Sequence, residues 1–167
     1  PSGRCEFLCE RLARLGVDAL PTYTPPAECP DSAPELAARF PLQMVSPPSP
    51  NFLNSTFVNI AELRSGAGQP EVELHPDDAE EREIADGDAV RVFNDRGAFQ
   101  AVARVGSRAT PSVRPGVVMS PGIWWAKYAQ DGVNVNATTS SRLTDLGGGA
   151  TFFDNLVQVE KNGGCSD

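Results

Sequence analysis

The sequence predicts a mainly β protein built around a small closed barrel, and three observations predict it. Apolar residues alternate over runs of about four to seven residues, the signature of half-buried strands. Turn signals such as Gly-Asp and Asn-Asp-Arg-Gly separate these runs every ten or so residues, the spacing of short-stranded barrels. Residues 1–40 lack the pattern and read as an N-terminal helical and extended arm, leaving 41–161 for the barrel and 162–167 as a tail.

Along the chain, "CEFLCERLARLG" (5–16) sets Phe7, Leu8, Leu12 and Leu15 at helical spacing, with Gly16 as the stop. "LPTYTPPAECPDSAP" (20–34) carries five prolines in fifteen residues. Each lacks an N–H and fixes φ, so this stretch is an extended connector rather than a helix or central strand. "APELAARF" (33–40) adds one short helical turn. The strand pattern opens with "LQMVS" at Leu42 and breaks into "PPSPNFLNST" (47–56), too rich in Pro, Asn and Ser for regular structure.

In "PEVELHP" (70–76) Val72 and Leu74 alternate inward. "HPDDAEEREI" starts a short helix, because proline fits the first turn and acidic side chains complement the positive end of the helix dipole. "DGDAVRVFN" is a tight turn followed by Val90 and Val92 on one face, and "NDRG" repeats the hairpin signal. "AFQAVARV" keeps Ala101, Ala103 and Val105 on one small apolar face; "VRPGVVMSPG" (113–122) and "NLVQVEK" (155–161) supply the last strands. Residues 123–153 form a long, polar, glycine-bearing stretch. That stretch and the 46–56 loop are long for connections in a compact domain, which makes them the places to look for function.

Composition narrows the function classes. A chain of 167 residues buries enough surface, roughly 70% of what it exposes unfolded, to fold without disulfide or metal. Its net charge of −8 is the wrong sign for displacing counterions from duplex nucleic acid, so no nucleic-acid partner is expected. No run approaches the roughly 20 apolar residues of a membrane span. The start "PSGRCEF" has neither Met nor a signal-peptide core. It is expected to belong to a longer polypeptide, with the cytoplasm as default compartment. Cys5, Cys9, Cys29 and Cys165 show no CxxC spacing, and His75 is the single histidine. The cysteines are expected as free thiols, and His75 as an exposed loop residue.

No self-contained catalytic site emerges. No serine sits in a nucleophile elbow, "DDAEERE" reads as a solvated helix start, and "LGGGAT" (146–151) lacks the Lys-Ser/Thr of a phosphate loop. Binding has more support. "NST" (54–56) and "NVNATTSS" (134–141) gather neutral amides and hydroxyls in the two long loops. Amides match the donor and acceptor edge of a heterocycle, hydroxyls match phosphate oxygens without positive charge, and Trp124, Trp125 and Phe153 offer flat walls. The same asparagines equally suit turns and the same aromatics a core, and the motifs alone leave both readings open.

Taken in order, "LQMVSPPSPNFLNSTFVN", "PEVELHPDDAEEREIADGDAVRVFNDRGAFQAVARV", "VRPGVVMSPGIWW" and "DGVNVNATTSSRLTDLGGGATFFDNLVQVEK" resemble the C-terminal dinucleotide-binding domain of molybdopterin oxidoreductases. This is the dimethyl-sulfoxide-reductase superfamily, which includes formate dehydrogenases and nitrate reductases. The resemblance spans roughly residues 41–161 and lies in the order and spacing of its pieces rather than in any one of them. It implies a double-psi β-barrel in which Gly87 and Gly97 serve turns and Asp88 and Asn94 tie local backbone. It also implies molybdopterin guanine dinucleotide, paired as a bis-dinucleotide centre with molybdenum or tungsten, bound only in the full-length enzyme. By motif match, Ser46, Pro47 and Pro48 with Asn54, Ser55 and Thr56 would form the first cofactor loop. Trp124, Asn134, Asn136 and Thr138 would form the second, and Phe153 with Asp154 would close from the last strand. No catalytic residue and no metal ligand is expected within the chain. Expected partners are the remaining domains of the parent chain and an electron-transfer subunit. The sequence departs from the family at Ala137, where many relatives have Leu, and at Phe52, where several have His. The rival expectation is a non-enzymatic double-psi barrel used as an interaction or substrate-recognition module, as in certain ATPases.

Overall fold

Where side chains alternate apolar and polar, the chain forms six strands. They are β1 Leu42–Val45, β2 Glu71–Leu74, β3 Ala89–Phe93, β4 Ala98–Val105, β5 Val117–Met119 and β6 Leu156–Lys161. The structure is a computed structural model and describes residues 3–151 and 153–163. The strands close into one barrel in the order β1-β5-β2-β4-β3-β6. Two pairs are parallel, β1 with β5 and β2 with β4, and the others are antiparallel. Each parallel pair joins strands that are not consecutive, so the chain crosses the barrel twice to make them, as a double-psi barrel requires.

Strand β4 serves both halves. Ala98 to Val102 face β3, and Val102 to Val105 face β2. The inward positions are the alternate ones: Leu42 and Met44, Val72 and Leu74, Val90 and Val92, Phe99, Ala101 and Ala103, Val118, Val157 and Val159. Small Ala101 and Ala103 lie in the same strand as bulky Phe99, so large and small side chains share the narrow interior. Val105 is only partly buried and packs at the end of this core.

Turn chemistry fixes the strand ends. Gly87 has φ 86°, a value few side chains tolerate. The Asp88 carboxylate accepts from Ala85 N at 2.8 Å and pairs with Lys161 at 2.8 Å. The Lys161 contact first, and the Ala85 amide second, hold Asp88 below the usual carboxylate range. At Gly97 the constraint is space: a Cβ there would meet the Ala137 carbonyl oxygen at 2.9 Å, so a 3-10 turn, Val135–Thr138, rests directly on the β3–β4 hairpin.

The helices are short: α1 Glu10–Arg14, α2 Pro34–Arg39, α3 Ala61–Ala67 and α4 Pro76–Glu81. The expected helix over 5–16 contracts to α1, which buries no residue; Phe7, Leu8 and Leu15 are exposed. Helix α4 forms where proline and the acidic turn predict it, but its N-cap corrects one expectation. His75 is buried, and its Nδ1 accepts the Asp77 amide at 3.1 Å. Sequence patterning did not predict α3. It has no side-chain cap and contains Ser65 and Gly66, and Leu63 and Ala67 lean on a second apolar cluster of Phe52, Val58 and Trp124. Packing, not propensity, holds that helix. Cys5 and Cys9 are exposed free thiols and Cys29 is a buried one; the expectation for Cys165 and most of the 162–167 tail lies outside the described residues. Among the described residues, no helix is long and apolar enough to cross a membrane.

Candidate cofactor-binding cleft

Strand order decides which loops meet. Strand β1 lies between β5, parallel to it, and β6, antiparallel to it. The chain therefore leaves β1, leaves β5 and enters β6 at the same end of the barrel. The backbone stitches this end together: Ser120 N donates to Val45 O at 3.0 Å, Met44 N to Asn155 O at 2.8 Å, and Gly122 N to Pro47 O at 2.9 Å. Both long loops thus open on one rim.

Between them lies a cleft of about 670 Å³, inside the roughly 300–1,000 Å³ range of small-molecule sites. Ser46, Pro48 and Asn54 line it from the loop after β1, and Ile123 from the end of the β5 exit. Asn136, Thr139, Ser140 and Ser141 line it from the second loop, with Ala150 and Phe153 completing the wall. Among the described residues, no Asp, Glu, Lys or Arg side chain lines it. The cleft presents hydroxyls and amides against an aromatic and an aliphatic face. A nucleotide-type ligand uses such a donor set for its base edge, its ring face and its phosphate oxygens.

The sequence-predicted residues divide on this geometry. Ser46, Pro48, Asn54, Asn136 and Phe153 line the cleft. Pro47 contributes its carbonyl to the Gly122 contact, the Ser55 carbonyl accepts the Trp125 indole N–H at 2.6 Å, and Thr56 closes a small bridge with Leu53. Trp124 is buried edge-on against Phe52, ring centres 5.3 Å apart. Asn134 caps the 3-10 turn: its Oδ1 accepts Asn136 N at 3.1 Å and its Nδ2 donates to Trp124 O at 3.0 Å. Thr138 is fully buried, donating to Val135 O at 3.0 Å and accepting from Asn155 Nδ2 at 3.0 Å. Buried Asp154 accepts the Glu28 amide from the arm. Thr139, Ser140 and Ser141, which belong to the same "NVNATTSS" run, were not singled out from the sequence; that run of hydroxyls was the available signal.

The first loop is braced by strained and stacked groups. Asn54 and Phe57 adopt φ of 53° and 78°, the left-handed region that costs non-glycine residues of order 1–3 kcal/mol. Trp125 stacks with Tyr128 at 6.3 Å, and the Arg64 guanidinium of α3 lies 4.0 Å from the Tyr128 ring centre while donating to Val58 O at 3.0 Å. These contacts join α3, the 51–60 segment and the 3-10 turn Ala126–Tyr128 into one support under Asn54.

A six-stranded double-psi barrel with a neutral polar cleft at one rim is the architecture on the page. Residues 42–156 match the family model described as "Molydopterin dinucleotide binding domain". The chain belongs to this family of molybdopterin dinucleotide-binding domains, as the sequence resemblance had implied. Over 161 residues, 96% of this chain, it is 41% identical to the "Probable oxidoreductase YoaE" of Bacillus subtilis, covering 22% of that protein. It is 35% identical to "Dimethyl sulfoxide reductase DmsA" of Escherichia coli over 96% of this chain and 21% of that protein. The chain therefore spans about a fifth of the length of these curated relatives. Among solved structures, the acetylene hydratase of Pelobacter acetylenicus superposes with a TM-score of 0.78 at 22% identity, over 96% of this chain and 24% of that one, a likeness of fold.

Proposed function

We propose that this chain is the C-terminal cofactor-binding barrel of a molybdenum or tungsten oxidoreductase and grips molybdopterin guanine dinucleotide through its two polar rim loops. One observation carries the reading: Ser46, Asn54, Asn136 and Phe153, far apart in sequence, line a single uncharged cleft in a chain of this family. Asn54 and Asn136 would meet donor and acceptor edges, Ser46 with Thr139 to Ser141 would meet phosphate or hydroxyl oxygens, and Phe153 with Pro48 would flank a ring. Pro47, Ser55, Thr56, Trp124, Asn134, Thr138 and Asp154 would hold the loops in the shape that presents those groups. When bound, the molybdopterin group supplies the redox chemistry. The residues of this chain bind it, orient it and keep water from its buried face. The rest of a longer chain would close the other side of the cleft and an electron-transfer subunit would serve as partner, so the barrel alone is expected to be inactive.

The test is substitution of Asn136 and Ser46 by Ala in the full-length protein, with molybdenum and tungsten measured by mass spectrometry and guanine nucleotide released by acid hydrolysis. The expected result is a loss of roughly tenfold or more in retained cofactor for the double variant, the sum of two lost hydrogen bonds of ordinary strength. Parent-level metal and nucleotide in the double variant would remove the cleft from consideration.

A further inference from the structure

Behind the cleft lies a polar cluster that ties the N-terminal arm to the second loop. The Arg96 guanidinium, from the turn between β3 and β4, forks onto the Glu28 carboxylate with Nη1–Oε1 at 2.6 Å and Nη2–Oε2 at 2.9 Å. The same side chain turns its Nε to the Thr138 carbonyl at 2.7 Å and Nη2 to Asn155 Oδ1 at 3.1 Å. Glu28 also accepts Leu156 N at 3.3 Å, and its own amide donates to Asp154. Asn94 Nδ2 adds a second donor to the Thr138 carbonyl at 2.8 Å. The Glu28 side chain is only 11% exposed and that of Arg96 32%, so water competes weakly for these groups.

Thr138 ends the 3-10 turn that carries Asn136, and that turn already sits against Gly97, the neighbour of Arg96. One guanidinium therefore touches the arm with one edge and the base of the ligand-facing turn with the other. A pair serving only to fasten the arm would need the fork onto Glu28 and nothing on Thr138. We propose that Glu28 and Arg96 are positioning residues: docking of the arm segment around Glu28 fixes Arg96, which fixes the Thr138 carbonyl and so presents Asn136 to the cleft. The ligand-side half of this proposal rests on the function proposed above; the ordering of the turn does not.

The experiment compares Glu28→Gln, Arg96→Lys and the charge exchange Glu28→Arg with Arg96→Glu in the full-length protein. Amide hydrogen exchange is read over 134–141, over the arm and over β3 and β4, and bound molybdenum is measured alongside. Both single variants should speed exchange over 134–141 by roughly 10- to 100-fold, the scale of a lost charge-assisted hydrogen bond. Exchange in β3 and β4 should stay at the parent rate, which separates this effect from unfolding. The charge exchange should leave 134–141 loose, because a carboxylate at position 96 has no donor for the Thr138 carbonyl. Parent-like exchange over 134–141 in the single variants, or full recovery in the charge exchange, would overturn the proposal and leave the pair as a clamp on the arm. Exchange needs no ligand, so a parent protein without molybdopterin would count against the proposed function while leaving this readout decisive.

Discussion

In the barrel wall, Val90, Val92, Phe99, Ala101 and Ala103 are at most 2% exposed, and their side chains have nothing to offer but shape. In the rim turn, Asn134, Thr138 and neighbouring Asn155 are held by specific donors and acceptors, and the turn bears on a hairpin and, through Arg96, on the arm. The wall tolerates exchange of one apolar side chain for another of like volume, because burial is non-directional. The rim does not, because each bond there has one geometry and an orphaned buried partner is costly. The difference teaches that the same residue type does two jobs at the rim. Asn136 faces the cleft while Asn134, two residues earlier, is consumed in shaping the turn.

The comparison is broken most forcefully at Phe99. Phe99→Ala should lower stability by about 3–5 kcal/mol through lost burial and the cavity left behind, measured as a fall in denaturant midpoint with unchanged slope. The rim should then fail together with the wall, since the loops hang from β1, β5 and β6. Thr138→Val sharpens the contrast. It keeps the volume but strips Asn155 Nδ2 of its acceptor, and should cost about 1–3 kcal/mol by the same measurement. A neutral outcome would mean the rim is held by packing after all. The smallest effect concerns acid. Asp88 titrates below the usual carboxylate range because of Lys161 and the Ala85 amide, so its folded-state pKa is depressed relative to the unfolded chain. Its contribution to stability is therefore present above the unfolded-chain carboxylate value of 3.8 and fades as pH falls through the lower folded value. Asp88→Asn should lower stability slightly at neutral pH, and its deficit against the parent should close as pH falls through that acid limb, read as converging denaturant midpoints.

The wall was legible because alternation and turn residues encode it locally. "DGDAVRVFNDRGAFQAVARV" states two strands, their hairpin and their inward face without reference to anything distant. The rim was legible only as a region. Nothing local distinguishes Asn134 from Asn136, since the 3-10 turn that aims one inward and the other outward depends on Gly97, forty residues away in the sequence fold-back. Glu28 and Arg96 escaped notice for the same reason: each looks like an ordinary surface charge, in a proline-rich connector and in a hairpin turn respectively, until the barrel closes. Helix α3 was missed because its support is tertiary, and α1 was drawn too long because the spacing of Phe7, Leu8 and Leu15 promised a buried face that none of them has here. His75 misled by its position beside proline, which makes a loop residue and a helix cap look alike.

Strand β1 has no early neighbour. Its hydrogen-bonded partners begin at Val117 on one side and Leu156 on the other, so the first strand of the barrel waits for the fifth and sixth to be made. Long-range pairing of this kind slows folding, and here it also sets an order of events. The groove between the two loops closes only once β6 has been made and paired with β1, so a ligand of that groove meets its two walls together or not at all.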